Sequence, residues 1–271
     1  MSVEVKEQAM DRNPSQSAPW PHGAEHGDEH KGGRSSYARI PAAFRMQFVV
    51  PQLIWVPLMV FVSAWALAAG IGWWVHLAVD SRDPVADPIY TGASQAPLWT
   101  MLFMAAYSAS NTFPFSLALS YSRRVYLIGT LLAFGAVSLG FGAAFVLAAQ
   151  VEEWTGGWGA HVYTFALPFL ISDGAWAAGL LIATTSMLLM QFGFGGAMLY
   201  KRFSVMTIWM IVIGLALVLA VAVMLVVVND GWPSVWAWLV DQTALSLAGW
   251  AVIPTVLLAA INYGLIRRAT P

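Results

Sequence analysis

Six stretches of this chain, residues 51–77, 98–113, 125–149, 175–199, 205–228 and 244–266, contain no Lys, Arg, Asp or Glu. A bilayer crossing needs ~20 mostly apolar residues at about 1.5 Å rise each. A single charge at its centre costs about 2.5–3.5 kcal/mol on insertion scales. Six such runs within 271 residues predict an all-α fold, a polytopic membrane protein with six transmembrane helices. The second run is short, and extends at its inner end into residues 114–120. Composition agrees: 59% of the residues are hydrophobic and 10% charged, against roughly 45–50% and about 25% in soluble proteins. That balance excludes a soluble enzyme. A net charge of −1 gives no footing for nucleic acid, and none is expected as a partner. The lipid bilayer is the expected surrounding.

The positive-inside rule sets the orientation. Twelve of the 13 basic residues fall before the first run, after the second, after the fourth or after the sixth; only Arg82 lies on the other side. Asp80, Asp83, Asp87, Glu152, Glu153, Asp173, Asp230 and Asp241 occupy the opposite loops. Both termini are therefore expected in the cytoplasm. Residues 1–36 are polar, carry Pro, Gly and Ser, and are expected to form a disordered cytoplasmic tail. They lack the apolar core and cleavage site of a signal peptide, so the first span reads as an uncleaved anchor. Residues 37–268 form the transmembrane domain.

Interfacial features flank the spans. Nine tryptophans, Trp73 and Trp236 among them, fall near predicted outer ends. There the apolar ring and polar N–H of indole suit the headgroup layer, although such rings also suit a substrate exit. Residues 37–46 (YARIPAAFRM) place Tyr37, Ile40 and Phe44 on one side and Arg39 and Arg45 elsewhere, the pattern of a helix lying in the inner interface. Residues 161–171 are apolar but too short to span, and read as a re-entrant or interfacial segment.

Several chemistries lack their residues. Cysteine is absent, which removes thiolate sites and disulfides. The chain has no Gly-x4-Gly-Lys-Ser/Thr loop, no His-Glu-x-x-His and no Gly-x-Ser-x-Gly. It is therefore not expected to be an enzyme by itself, nor to hold a cofactor. The run Gly193-Phe194-Gly195-Gly196 lies within a span and reads as close helix packing. His22, His26 and His30, four residues apart, would share a helix face and are weak metal candidates, yet the glycines around them favour a solvated tail. Ion-driven transport is disfavoured, because no span carries an ionisable acid or base.

The most informative segment links the second and third spans: PFSLALSYSRRVYLIGT, residues 114–130. Pro114 is suited to open a new helical segment, and Ser122 to cap the third span. The expected result is a short amphipathic cytoplasmic helix, with Arg123 and Arg124 at the lipid phosphates. This run resembles the pattern PFALGLGVSRRxFYLGT of ABC-2-type transporter permeases, notably the small bacterial six-span subunits. Residues 195–203, GGAMLYKRF, are similar to the GxxxxRRFG end of the fourth span in that family. The chain differs at Ala118, Ser120 and Ser204, where the pattern has glycine; at residues 118 and 120 this predicts a more regular helix.

The resemblance implies a permease subunit of an ATP-binding cassette exporter in the bacterial cytoplasmic membrane. Two permease copies, identical or related, would form the path between spans one, two and five. A separate ATPase subunit would carry ATP and Mg. The ATPase-coupling residues it implies are Pro114, Phe115, Ser116, Leu117, Leu119, Tyr121, Ser122, Arg123 and Arg124. A non-transporting assembly or sensor subunit in the membrane is the alternative reading, and an intramembrane enzyme a third. The sequence does not name the cargo.

Overall fold

A computed structural model describes residues 36–78 and 88–268 of the chain. The N-terminal tail with His22, His26 and His30, and the loop carrying Asp80, Arg82, Asp83 and Asp87, lie outside the described residues.

Nine α-helices are present among the described residues, in the order α1 (Ile40–Gln47), α2 (Gln52–Ala78), α3 (Ala96–Ala118), α4 (Arg123–Trp154), α5 (Pro168–Ile171), α6 (Ala175–Arg202), α7 (Val205–Val228), α8 (Trp232–Val240) and α9 (Ala244–Arg268). Five of them, α2, α4, α6, α7 and α9, are long and apolar enough to cross a membrane. The chain is thus an all-α, multi-pass membrane protein. Helix α3 has 23 residues, but Thr100, Tyr107, Ser108, Ser110, Asn111, Thr112 and Ser116 make it more polar than the other five. Helix α4, with 32 residues, is about 48 Å long at 1.5 Å per residue. That exceeds a hydrocarbon core of about 30 Å, so its basic start and acidic end both project beyond the apolar zone.

Local chemistry sets the ends of these helices. Pro41 stands in the first turn of α1, where its missing N–H would have had no partner. Ser122 and Ser204 cap α4 and α7, their hydroxyls accepting from Val125 N and Thr207 N, each at 3.3 Å.

Helix α6 is the hub, packed against α9, α3 and α4. Small residues allow this, since backbones in a membrane approach closely where side chains are absent. A side chain at Gly193 would run into the Leu102 carbonyl of α3 and one at Gly195 into Asn262 of α9, so these two glycines serve close packing, while a Cβ at Gly196 would meet nothing. Gln191 Nε2 donates to the Thr255 carbonyl and Asn262 Nδ2 to the Gln191 carbonyl, each at 3.1 Å, joining α6 to α9. The largest buried cluster includes Met101, Phe113, Tyr126, Phe134, Met190 and Phe194. By contrast, α7 and α8 bury none of their residues against the described chain.

Two expectations are corrected. Pro114 does not open a separate helix: α3 runs through it to Ala118, and only residues 119–122 separate α3 from α4. Ser120 does not make the segment more regularly helical. It adopts a left-handed conformation, φ 56°, and ends α3. Tyr121 N donates to the Ser116 carbonyl and Ser120 N to the Leu117 carbonyl, each at 3.0 Å. This is a Schellman cap with serine in the position that favours glycine.

Residues 161–171, too short to span, have a defined local structure. They follow a turn at Gly157–His161 and enter a short strand, β2 (Val162–Tyr163). This strand pairs in parallel with β1 (Ile89–Tyr90), Ile89 opposite Val162 and Tyr90 opposite Tyr163. The segment then buries Phe165 and Ala166 beside Phe145 and Ala178 before α5.

Candidate functional site

The turn between α3 and α4 sorts the expected coupling residues by exposure. Phe115 and Leu119, one helical turn apart, are 50% and 47% exposed, and with Pro114, Ser122 and Arg124 they form the outward surface of the turn. Ser116 is buried, its hydroxyl donating to the Phe113 carbonyl at 2.7 Å. Leu117 packs on the central cluster, and Tyr121 is half-buried. Ser116 therefore faces inward, and Leu117 leaves a partner only part of its surface.

The two arginines also differ. Arg124 is exposed. Arg123 turns toward α9 and donates Nη1 to the Ile266 carbonyl at 3.1 Å and the Arg267 carbonyl at 2.7 Å. A cation at a helix C-terminus meets the carbonyls left without intrahelical donors and the negative end of the dipole. Arg123 thus ties the turn to α9, rather than standing free at the lipid phosphates.

Behind the turn lies a buried polar network that includes residues outside the expected set. Gln47, at the end of α1, is fully buried. Its Nε2 donates to Thr130 Oγ1 at 2.8 Å, while its Oε1 accepts from Ser108 at 3.3 Å and Thr112 at 3.4 Å. Thr112 and the Tyr126 hydroxyl share a hydrogen bond of 2.8 Å. One amide therefore joins α1, α3 and α4. Ala43, Met46 and Gln47 form the buried face of α1, not Ile40 and Phe44. Gly129 makes that contact possible, because a Cβ there would lie 2.7 Å from the Ala43 Cβ and 2.8 Å from the Phe44 nitrogen. The aromatic and Gly-Thr positions of the run 114–130 thus have a structural duty in this chain: Tyr126, Gly129 and Thr130 seat α1. A buried polar group is costly unless paired, so a glutamine at the end of an apolar-faced helix was the available signal for Gln47.

At the far end of α4 a second buried polar group organises the outer segment. Glu152 is fully buried. Its carboxylate accepts from Thr164 N at 2.9 Å, Phe165 N at 2.7 Å, Ala166 N at 2.8 Å and Trp158 Nε1 at 3.0 Å. Charge-assisted bonds of this kind offset the loss of hydration. They hold the backbone of residues 164–166 across the end of α4, and Phe165 then stacks on Phe61 of α2 with centroids 4.9 Å apart. Desolvation, reinforced by Tyr90, Glu152 and Glu153, raises the Tyr163 phenol above its ordinary range. Between α2 and α4 lies an apolar cavity of about 330 Å³, lined by Phe48, Leu58, Val137, Phe141 and their neighbours.

Among the described residues no group of three or more His, Asp or Glu is placed to hold a metal. In comparisons with family models, curated proteins and solved structures, the chain matches none.

Proposed function

We propose that the chain is the permease subunit of an ATP-binding cassette exporter of the ABC-2 type. It would cross the bacterial cytoplasmic membrane six times, α3 being the sixth span, with both termini in the cytoplasm. A separate subunit binds Mg and ATP, and its closure pushes on the α3–α4 turn. The observation that carries this reading is the pairing of exposure with anchorage there. Phe115 and Leu119 are bare, yet the turn beneath them is fixed to α9 through Arg123 and to α1 through the Gln47 network. Force applied to such a turn reaches three helices without being absorbed by local bending. The bare flanks of α7 leave room for a second permease copy, and the substrate is unidentified.

The test is to look for an ATP-binding cassette ATPase encoded beside the chain and to co-express the two. Aspartate at Phe115 and Leu119 should abolish co-purification, because charge is depleted from the apolar centre of an interface. Arg45→Gln, on exposed α1 surface, should leave recovery intact. Full recovery with both aspartates would remove the turn from any docking surface.

A further inference from the structure

Where α6 ends against the last turns of α9, a cavity of about 500 Å³ is lined by Arg202, Ile261, Gly264, Leu265 and Arg267. Its size falls in the ordinary range of small-ligand sites, about 300–1,000 Å³. Two guanidinium groups share it, and each rests on an aromatic ring of its own helix end. Arg202 lies 4.7 Å from the Phe203 centroid and Arg267 5.7 Å from that of Tyr263. Attraction to the ring face favours this placement of each cation and leaves its N–H donors available. Among the described residues neither side chain has a hydrogen-bond acceptor or an acidic partner, whereas Arg123 nearby is engaged with backbone carbonyls. Two unneutralised cations facing one cavity call for an anion, and the planar fork of arginine matches phosphate.

The rest of the lining selects among phosphates. Ile261 and Leu265 are one turn apart on α9, so the cavity runs from the charged end of that helix onto its apolar flank. A free phosphate has no use for that flank, while a phospholipid places glycerol and acyl carbons there. Basic clefts between transmembrane helices at the anionic leaflet are suited to such headgroups. We propose that this cavity is a binding site for the phosphate of an anionic phospholipid, held between Arg202 and Arg267. The site is defined by α6 and α9, whatever docks at the α3–α4 turn.

The experiment is native mass spectrometry of the purified full chain titrated with phosphatidylglycerol, phosphatidylcholine or inorganic phosphate. Wild type should hold one phosphatidylglycerol in preference to phosphatidylcholine. Arg202→Gln with Arg267→Gln should weaken it at least about tenfold, and Arg45→Gln should not. Gly264→Leu supplies a variant that keeps both charges. A Cβ at Gly264 meets nothing within 4 Å, so the new side chain fills the cavity instead of disturbing the helix, and lipid should again be lost. Displacement of phosphatidylglycerol by millimolar inorganic phosphate would uphold the phosphate chemistry and assign it to a soluble source. Equal retention of the two lipids, or phosphatidylglycerol binding that survives both variants, would overturn the proposal.

Discussion

The Lys201 ammonium donates to the Ser110 carbonyl at 2.8 Å, and Ser110 is the residue whose carbonyl Pro114 leaves without its helical donor. In an unbroken helix the amide of residue 114 would bond that carbonyl, but proline has no N–H. Lys201, in the last turn of α6, supplies the missing donor across 91 residues of sequence and lies 5.7 Å from the Phe113 ring centroid. The proline that would otherwise weaken α3 thereby becomes the reason α3 and α6 are joined at this level.

Lys201→Met should lower thermal stability in detergent by about 1 kcal/mol, since the lysine is partly exposed and its bond is correspondingly discounted. In a Pro114→Ala background the helix donates to Ser110 itself, and the same Lys201→Met change should cost almost nothing. Equal losses in the two backgrounds would show that Lys201 acts elsewhere.

Ser120→Gly should stabilise the chain by roughly 1 kcal/mol. A left-handed conformation costs a side-chain-bearing residue about that much, and glycine adopts it freely. The midpoint of thermal unfolding should rise, with the exposure of Phe115 and Leu119 unchanged. A fall would mean that the serine hydroxyl contributes a bond that outweighs the backbone strain.

Gly129→Val should dislodge α1 from α4, because the added carbons meet Ala43 and the backbone of Phe44; overpacking of this kind costs about 1–3 kcal/mol. The chain has no native cysteine, so a cysteine at Met46 reads the change directly. It should resist a soluble thiol reagent in the parent and react in the Gly129→Val background. Protection in both would show that α1 stays seated.

Glu152→Leu should leave the amides of residues 164–166 and the Trp158 indole without an acceptor. Each buried donor left unsatisfied costs about 1–3 kcal/mol, and the outer segment should become protease-sensitive while α6 and α9 stay protected from hydrogen exchange. Glu152→Gln should lie between, since its amide oxygen still accepts but carries no charge.

Cysteines at Ser120 and Glu153, both exposed, should be labelled from opposite sides of the membrane. Labelling of both from one side would reverse the reading of α4 as a complete crossing.

Much of the fold was legible in regularities with a local cause. Residues 205–228 coincide with α7, because an uninterrupted apolar run between Ser204 and Asn229 leaves no other place for its ends. The starts at residues 175 and 244 coincide with those of α6 and α9 for a similar reason. What misled was a local rule whose exception is settled elsewhere. Pro114 has the signature of a helix start, and only Lys201 on another helix shows why α3 continues through it. Glu152 reads as one more outer acid until the amides of residues 164–166 fold back onto it. Helix α8 was hidden among interfacial tryptophans, since WPSVWAWLV suits a loop at the headgroups as well as a helix there. At the candidate site, residue identity placed the turn correctly but not its inward and outward faces, which depend on where α1 and α9 lie.

Helix α1 is made before the helices it packs against and can be seated only late. The amide of Gln47 has its partners 61, 65 and 83 residues further along, at Ser108, Thr112 and Thr130. At synthesis rates of about 5–20 residues per second, those groups follow Gln47 by roughly 3–17 s. Until Thr130 is made the glutamine lacks its full set of buried partners. The bond network around Gln47 is therefore completed only after α3 and α4 have been made, although α1 precedes both in the chain.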